Sequence, residues 1–158
     1  MKTANLSRSQ VTSLSYAPPL ENFSKDDYLI SIRDIDAPIK EIVLPVQNIL
    51  HLAFEDISME FDGAIEDWQA ELIANFIKEA REKKANVWVN CHAGVSRSGA
   101  IVELLGQLGW EIDETLKMRN RVPNHLVFNK LRKHFPHDKI VDLKPIIEYI
   151  HDHDKFIF

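Results

Sequence analysis

Val87-Trp88-Val89-Asn90-Cys91-His92-Ala93-Gly94-Val95-Ser96-Arg97-Ser98-Gly99 is the stretch on which the reading of this chain turns. Val87, Trp88 and Val89 are β-branched or aromatic and predict a short buried strand, which stops at Cys91, the only cysteine of the sequence. A candidate nucleophile therefore sits at a strand end. Five residues separate Cys91 from Arg97, and the small Ala93 and Gly94 among them allow a backbone curl in which successive N–H groups point inward as an anion cradle. Ala100, Ile101, Leu104, Leu105 and Leu108 follow at helical spacing, so the cradle opens into a helix whose positive N-terminal end adds to it. The planar fork of Arg97 matches two oxygens of a phosphate at once. The same field favours a thiolate at Cys91.

A chain of 158 residues with 45% hydrophobic content suits one domain, here residues 1–158, with about 1–22 and 152–158 expected to be peripheral tails. One cysteine excludes an internal disulfide, the opening Met-Lys-Thr-Ala-Asn-Leu-Ser lacks the apolar core of a secretory signal, and no stretch approaches a membrane span. The expectation is a soluble, cytoplasmic protein with no membrane partner. A formal charge of -5 argues against a broad basic face that would track nucleic acid, so any phosphate affinity has to be local.

Hydrophobic patterning predicts an α/β fold. Gln10–Tyr16 alternates like an edge strand, Asp27–Ile32 reads as a clearer strand, and Glu41–Val46 and Asn48–Phe54 make two more apolar runs. The connections are too irregular for hairpins and the later strands alternate with helices, which points to a mainly parallel central sheet flanked by helices. Ile65, Trp68, Leu72, Ile73, Phe76, Ile77 and Ala80 recur at helical spacing and predict a helix over Gly63–Lys84 with Asp62 as its cap. Gly109 is a stop for the helix after the cradle, Asp113 is expected to cap a short helix through Arg121, Pro123-Asn124 begins another, and a last one starts near Asp142 and Pro145. Phe54-Glu55-Asp56 closes a strand, and strand ends of an open α/β sheet are where ligands gather.

Cys91-His92-Ala93-Gly94-Val95-Ser96-Arg97-Ser98 resembles the signature C-x-A-G-x-S-R-S of cysteine-dependent protein phosphatases, specifically the small dual-specificity type. Looser similarity runs from about Asp27 through Phe135. The resemblance implies a phosphate-binding loop formed by His92, Ala93, Gly94, Val95, Ser96 and Arg97, with Cys91 attacking phosphorus to give a cysteinyl-phosphate and Arg97 and the loop amides holding the equatorial oxygens. It implies that Asp56 protonates the leaving oxygen, although Glu55, Asp62 and Asp67 compete for that role, and that the Ser98 hydroxyl eases departure of the sulfur. Asn124 resembles the asparagine that steadies the loop, and capping of the next helix explains it as well.

Two departures accompany the likeness. Asn90 stands where the family has a histidine that supports the thiolate from behind, which implies a weaker thiolate and lower activity. The stretch Arg119–Asn124 is shorter than the family's spacing, which loosens the assignment of Asn124. The expected substrate is a phosphorylated protein or peptide, with phosphotyrosine first and phosphoserine or phosphothreonine beside it, and no cofactor or metal is implied. His151-Asp152-His153-Asp154 offers alternating ligands at the end of the chain, a poor basis for a closed site. The rivals are a phosphatase for a non-protein phosphate, such as a phosphoinositide or an RNA 5′ end, and a pseudoenzyme that binds phosphate without turnover.

Overall fold

The structure is a computed structural model in which residues 1–149 are described. Five strands, β1 (Lys2–Ser7), β2 (Tyr28–Arg33), β3 (Asn48–Ala53), β4 (Val87–Cys91) and β5 (Glu111–Ile112), form one sheet in the order β3-β2-β4-β1-β5. Every pairing is parallel, as the irregular connections and intervening helices predict. A parallel sheet survives only with both faces covered, and here they are covered differently. The helices α2 (Asp67–Glu82), α3 (Arg97–Gln107) and α4 (His125–Arg132) bury Ile73, Ile77, Ile101, Leu105, Phe128 and Leu131 against Ile30, Val87 and Val89 on one face. On the other, the short helix α1 (Arg8–Thr12) and irregular chain around Phe23, Leu44 and Val46 cover Leu6, Leu29 and Trp88. Trp88 Nε1 finds its acceptor there, Asp27 Oδ2 at 2.8 Å, which satisfies the one polar atom of that large buried side chain.

Several expectations need correction. The first residues are no peripheral tail: β1 lies between β4 and β5, with Thr3 opposite Val87 and Ile112. Gln10–Tyr16 is not an edge strand, because Ser7 and Gln10 close a capping box (Gln10 N donates to Ser7 Oγ at 3.2 Å, Ser7 N to Gln10 Oε1 at 2.8 Å) and start α1 instead. Glu41–Val46 is apolar because Leu44 and Val46 are buried under the sheet, not because it pairs as a strand. Helix α2 starts at Asp67 and not at Gly63; Glu66, in a capping box with Gln69, replaces Asp62 as cap. Asp113 caps no helix. Its Oδ1 accepts from Thr115 N at 2.9 Å and makes a turn, after β5 has already been added to the sheet edge.

Other elements stand where the sequence puts them. Asp27–Ile32 and Asn48–Phe54 correspond to β2 and β3, Gly109 follows α3 at φ 115°, and residues 146–149 are helical. The segments 152–158 and His151–Asp154 lie outside the described residues. Among the described residues no helix is long and apolar enough to cross a membrane.

Candidate active site

Cys91 ends β4 opposite Ser7, the last residue of β1, so the loop that follows rests on the C-terminal ends of these two neighbouring strands. Gly94 makes that rest possible. Its φ is 73°, and a Cβ there would stand 2.7 Å from Leu6 C and O and 2.8 Å from Ser7 N, all backbone atoms. Only glycine accepts both the left-handed conformation and the contact.

The loop carbonyls are then fastened outward one by one. His92 O accepts from Arg8 N (3.1 Å), Gly94 O from Asn5 Nδ2 (2.7 Å), Val95 O from Val122 N (3.1 Å), and Ser96 O from Asn124 N (3.0 Å). With carbonyls held outside, the N–H groups turn to the concave side; those of Ala93, Gly94, Val95 and Ser96 donate to no acceptor among the described residues. Successive inward N–H groups are an anion nest. Helix α3 opens onto it with Ser96 at the N-cap position, and the Ser96 hydroxyl caps nothing, so the first turn keeps its donors.

Arg97 is 5% exposed. Its Nη1 donates to Phe54 O at 2.7 Å and lies 2.8 Å from Asp34 Oδ1, while Nε is buried without a partner. An arginine tethered by one arm, with a buried donor left over, is set to receive a bidentate oxyanion. Ser98, fully buried in the first turn of α3, has its Oγ 3.1 Å from Cys91 Sγ, which is itself buried.

Asp56 is exposed on the segment after β3, and its Oδ1 accepts from both Ser96 Oγ and Asn124 Nδ2 at 2.8 Å. The carboxylate therefore hangs over the rim of the loop. Glu55 is turned away, with its Oε1 accepting from Ile35 N at 3.0 Å, and Asp67 pairs with Lys130. Asn124 does two things at once: Oδ1 accepts from Val127 N at 3.1 Å as the cap of α4, and Nδ2 also reaches Ile57 O at 3.2 Å. Asn90 is apart from this group. Strand alternation sends it to the Trp88 face, opposite Val89 and Cys91, and its buried Oδ1 has no hydrogen-bond partner. His92 is exposed on the rim, and Ala93 and Val95 are half-buried.

No protein-family model matches the chain, and no curated protein matches it. Among solved structures it is similar to the crystal structure of a human tyrosine phosphatase-like serine/threonine/tyrosine-interacting protein, at 17% identity over 96% of this chain and 91% of that one, with a TM-score of 0.46.

Two members of the site escaped the sequence reading. Asp34, just past the end of β2, carries no local pattern that ties it to Arg97; only the adjacency of β2 and β4 brings the two together. Asn5 reads as an ordinary polar residue, yet it is 1% exposed and links Gly94 O, Arg119 O (3.2 Å) and Arg121 Nη1 (3.1 Å). Its signal was faint but present, a polar residue between Ala4 and Leu6 in an alternating run. Among the described residues no three His, Cys, Asp or Glu side chains converge to hold a metal ion.

Proposed function

We propose that the chain is a cysteine-dependent phosphoric monoester hydrolase of the dual-specificity type, which removes phosphate from phosphotyrosine and from the shorter phosphoserine and phosphothreonine of proteins. The observation that carries this reading is the loop itself: carbonyls held outward, N–H groups without an acceptor, the buried and unpartnered Arg97 Nε, and Cys91 Sγ 3.1 Å from Ser98 Oγ. The exposure of His92 and Asp56 at the rim supports a shallow mouth open to short phosphoresidues.

In the first step the Cys91 thiolate attacks phosphorus, an S–P bond forms, the bond to the leaving oxygen breaks, and Asp56 gives that oxygen its proton. In the second, water attacks phosphorus, Asp56 takes the proton, and the S–P bond breaks to release inorganic phosphate. Negative charge on the equatorial oxygens is met throughout by the loop N–H groups and Arg97, the kind of preorganised stabilisation that outweighs other terms in acyl and phosphoryl transfer. The Ser98 hydroxyl, 3.1 Å from sulfur, donates to the departing thiolate. The substrate is a phosphorylated protein or peptide, and a thiolate of this kind belongs in a reducing compartment such as the cytoplasm.

Turnover of an activated aryl phosphate by purified protein tests the proposal. Wild-type protein turns it over, and Cys91→Ser abolishes turnover while leaving phosphate affinity largely intact, since the anion is held by Arg97 and amides. Wild-type-like rates in the serine variant would overturn the mechanism. The second reading, binding without turnover, is favoured by Asn90, a neutral side chain on the opposite sheet face from Cys91 whose buried Oδ1 has no partner. A protein that binds orthophosphate but never yields a trapped cysteinyl-phosphate after rapid acid quench is that pseudoenzyme.

A further inference from the structure

Between β3 and α2, residues 54–66 carry Asp56 yet form no helix or strand. The base of this segment is closed by Glu55 N, which donates to Gly63 O at 2.7 Å. Its tip, Ser58, Met59, Glu60 and Phe61, is exposed. A tip of this kind opens at little cost unless something outside it holds on. Two side chains at the ends of α4 do so. Asn124, the cap, reaches Asp56 and Ile57 O, and Lys130, in the last turn, places Nζ 2.9 Å from Glu60 Oε1 and 3.2 Å from Glu60 Oε2. Beyond Ile57, Lys130 is the one side chain among the described residues that bonds the tip from another element.

An ion pair between two exposed long side chains does little, because both have to be immobilised. Lys130 differs: it is 7% exposed, so burial already fixes its stem and only Glu60 is left to order. The same Nζ lies 3.1 Å from Asp67 Oδ1 at the start of α2. One ammonium therefore stands between two carboxylates, and removing its charge leaves them repelling each other across the gap it bridged. Asp67 belongs to a helix and Glu60 to the irregular tip, so the tip is the part that moves. Both carboxylates are largely exposed, which confines the effect to the placement of the tip and spares the stability of the fold. We propose that Lys130 is a positioning residue for the acid Asp56, which it keeps over the Cys91 loop by anchoring the tip through Glu60. The inference rests on the phosphatase reading for its effect on turnover, while the anchoring of the tip does not.

The test compares two substrates in Lys130→Met, which keeps an unbranched stem and removes the charge. With a phosphotyrosyl peptide, kcat falls about tenfold to a hundredfold and KM changes less than about twofold, because a misplaced acid slows the step that needs its proton. An activated aryl phosphate, whose leaving group needs no proton, is turned over within about twofold of wild type. Lys130→Arg restores the peptide rate, and in an Asp56→Asn background Lys130→Met costs nothing further, since the two changes remove the same contribution. Amide hydrogen exchange of residues 58–62 rises in Lys130→Met and returns to the wild-type rate in Lys130→Arg. If thermal melting shows Lys130→Met unfolded, Glu60→Ala, at an exposed position, must show the same split between the two substrates. Equal losses on both substrates, or an unchanged peptide rate in Lys130→Met and Glu60→Ala, overturn the positioning role while leaving the phosphatase intact. No turnover of either substrate by the wild-type protein overturns the phosphatase; faster exchange of residues 58–62 in Lys130→Met then still establishes the anchoring, and unchanged exchange overturns it.

Discussion

Asp56 receives both its donors, Ser96 Oγ and Asn124 Nδ2, on Oδ1. The proton of an acid held this way belongs on the other oxygen, Oδ2, and the phosphate loop itself fixes the orientation of that oxygen through Ser96. Asp56→Asn should therefore lower turnover of phosphotyrosine by about a hundredfold to ten-thousandfold, the usual worth of a positioned general acid, and by less with an activated aryl phosphate whose leaving group needs no proton. A silent Asp56→Asn together with the full loss in Asp62→Asn would sink the assignment. At this scale the gathering of Cys91, Arg97 and Ser98 at one loop was legible because they lie close together in the sequence at a spacing that forms the loop. Asp34 was not, because its partnership with Arg97 is made by sheet order rather than by sequence distance.

Asn124 shows how one side chain at an element boundary serves both the helix and the site. Its Oδ1 caps α4, and its Nδ2 holds Asp56 and Ile57 O. Asn124→Ala should cost about 1 kcal/mol of stability, the typical worth of an N-cap, and should also slow turnover of phosphotyrosine by releasing Asp56. Asn124→Ser separates the two, since serine caps well but is too short to reach Asp56; thermal melts should recover and activity should not. Recovery of both in the serine variant would leave the cap as the whole role. Helices α2 and α3 were readable from period, though the cap of α2 is Glu66 and not Asp62, and α4 from its Asn124 cap, whereas the helix expected from Asp113 failed because Thr115, two residues on, donates both its N–H and its hydroxyl to Asp113 Oδ1 and closes a turn. Strand β1 was missed for a different reason: its alternation is faint because Thr3, Asn5 and Ser7 look solvated, and only the strands on either side make them interior.

Across the molecule, the segment after β5 is bound to the site's foundation through Arg121, which donates to Glu103 (2.9 Å), Glu114 (2.5 Å) and Asn5 (3.1 Å). Burial pulls the Glu114 carboxyl up, but hydrogen bonds from Arg121 and Lys117 and their charges pull harder, so its pKa lies below the ordinary 4.5. A carboxylate depressed on folding adds stability that is fully present above its unfolded pKa and is lost as pH falls through the folded value. Denaturant melts should then show a loss from about pH 5 downward that is shallower in Glu114→Gln. Asp113, depressed by its Thr115 hydrogen bond, acts in the same window. An identical acid slope in Glu114→Gln would show that the network contributes no linkage. The class of fold, a parallel sheet with helices, was legible at this scale from alternation of elements, while the strand order was not, because nothing local states which strands will be neighbours.

The interior position of β1 has a consequence for how the chain is made. Thr3 waits for Val87 on one side and Ile112 on the other, so this strand is synthesised well before either of its partners. Closing such long loops is entropically unfavourable before any pairing rewards it, and folds dominated by distant contacts form slowly. Through that interval the nascent chain carries an unpaired strand, the kind of segment that joins foreign edges. Thr3, Asn5 and Ser7 alternate with Ala4 and Leu6 along it, and those polar side chains keep it hydrated until the loop with Gly94 closes over its end.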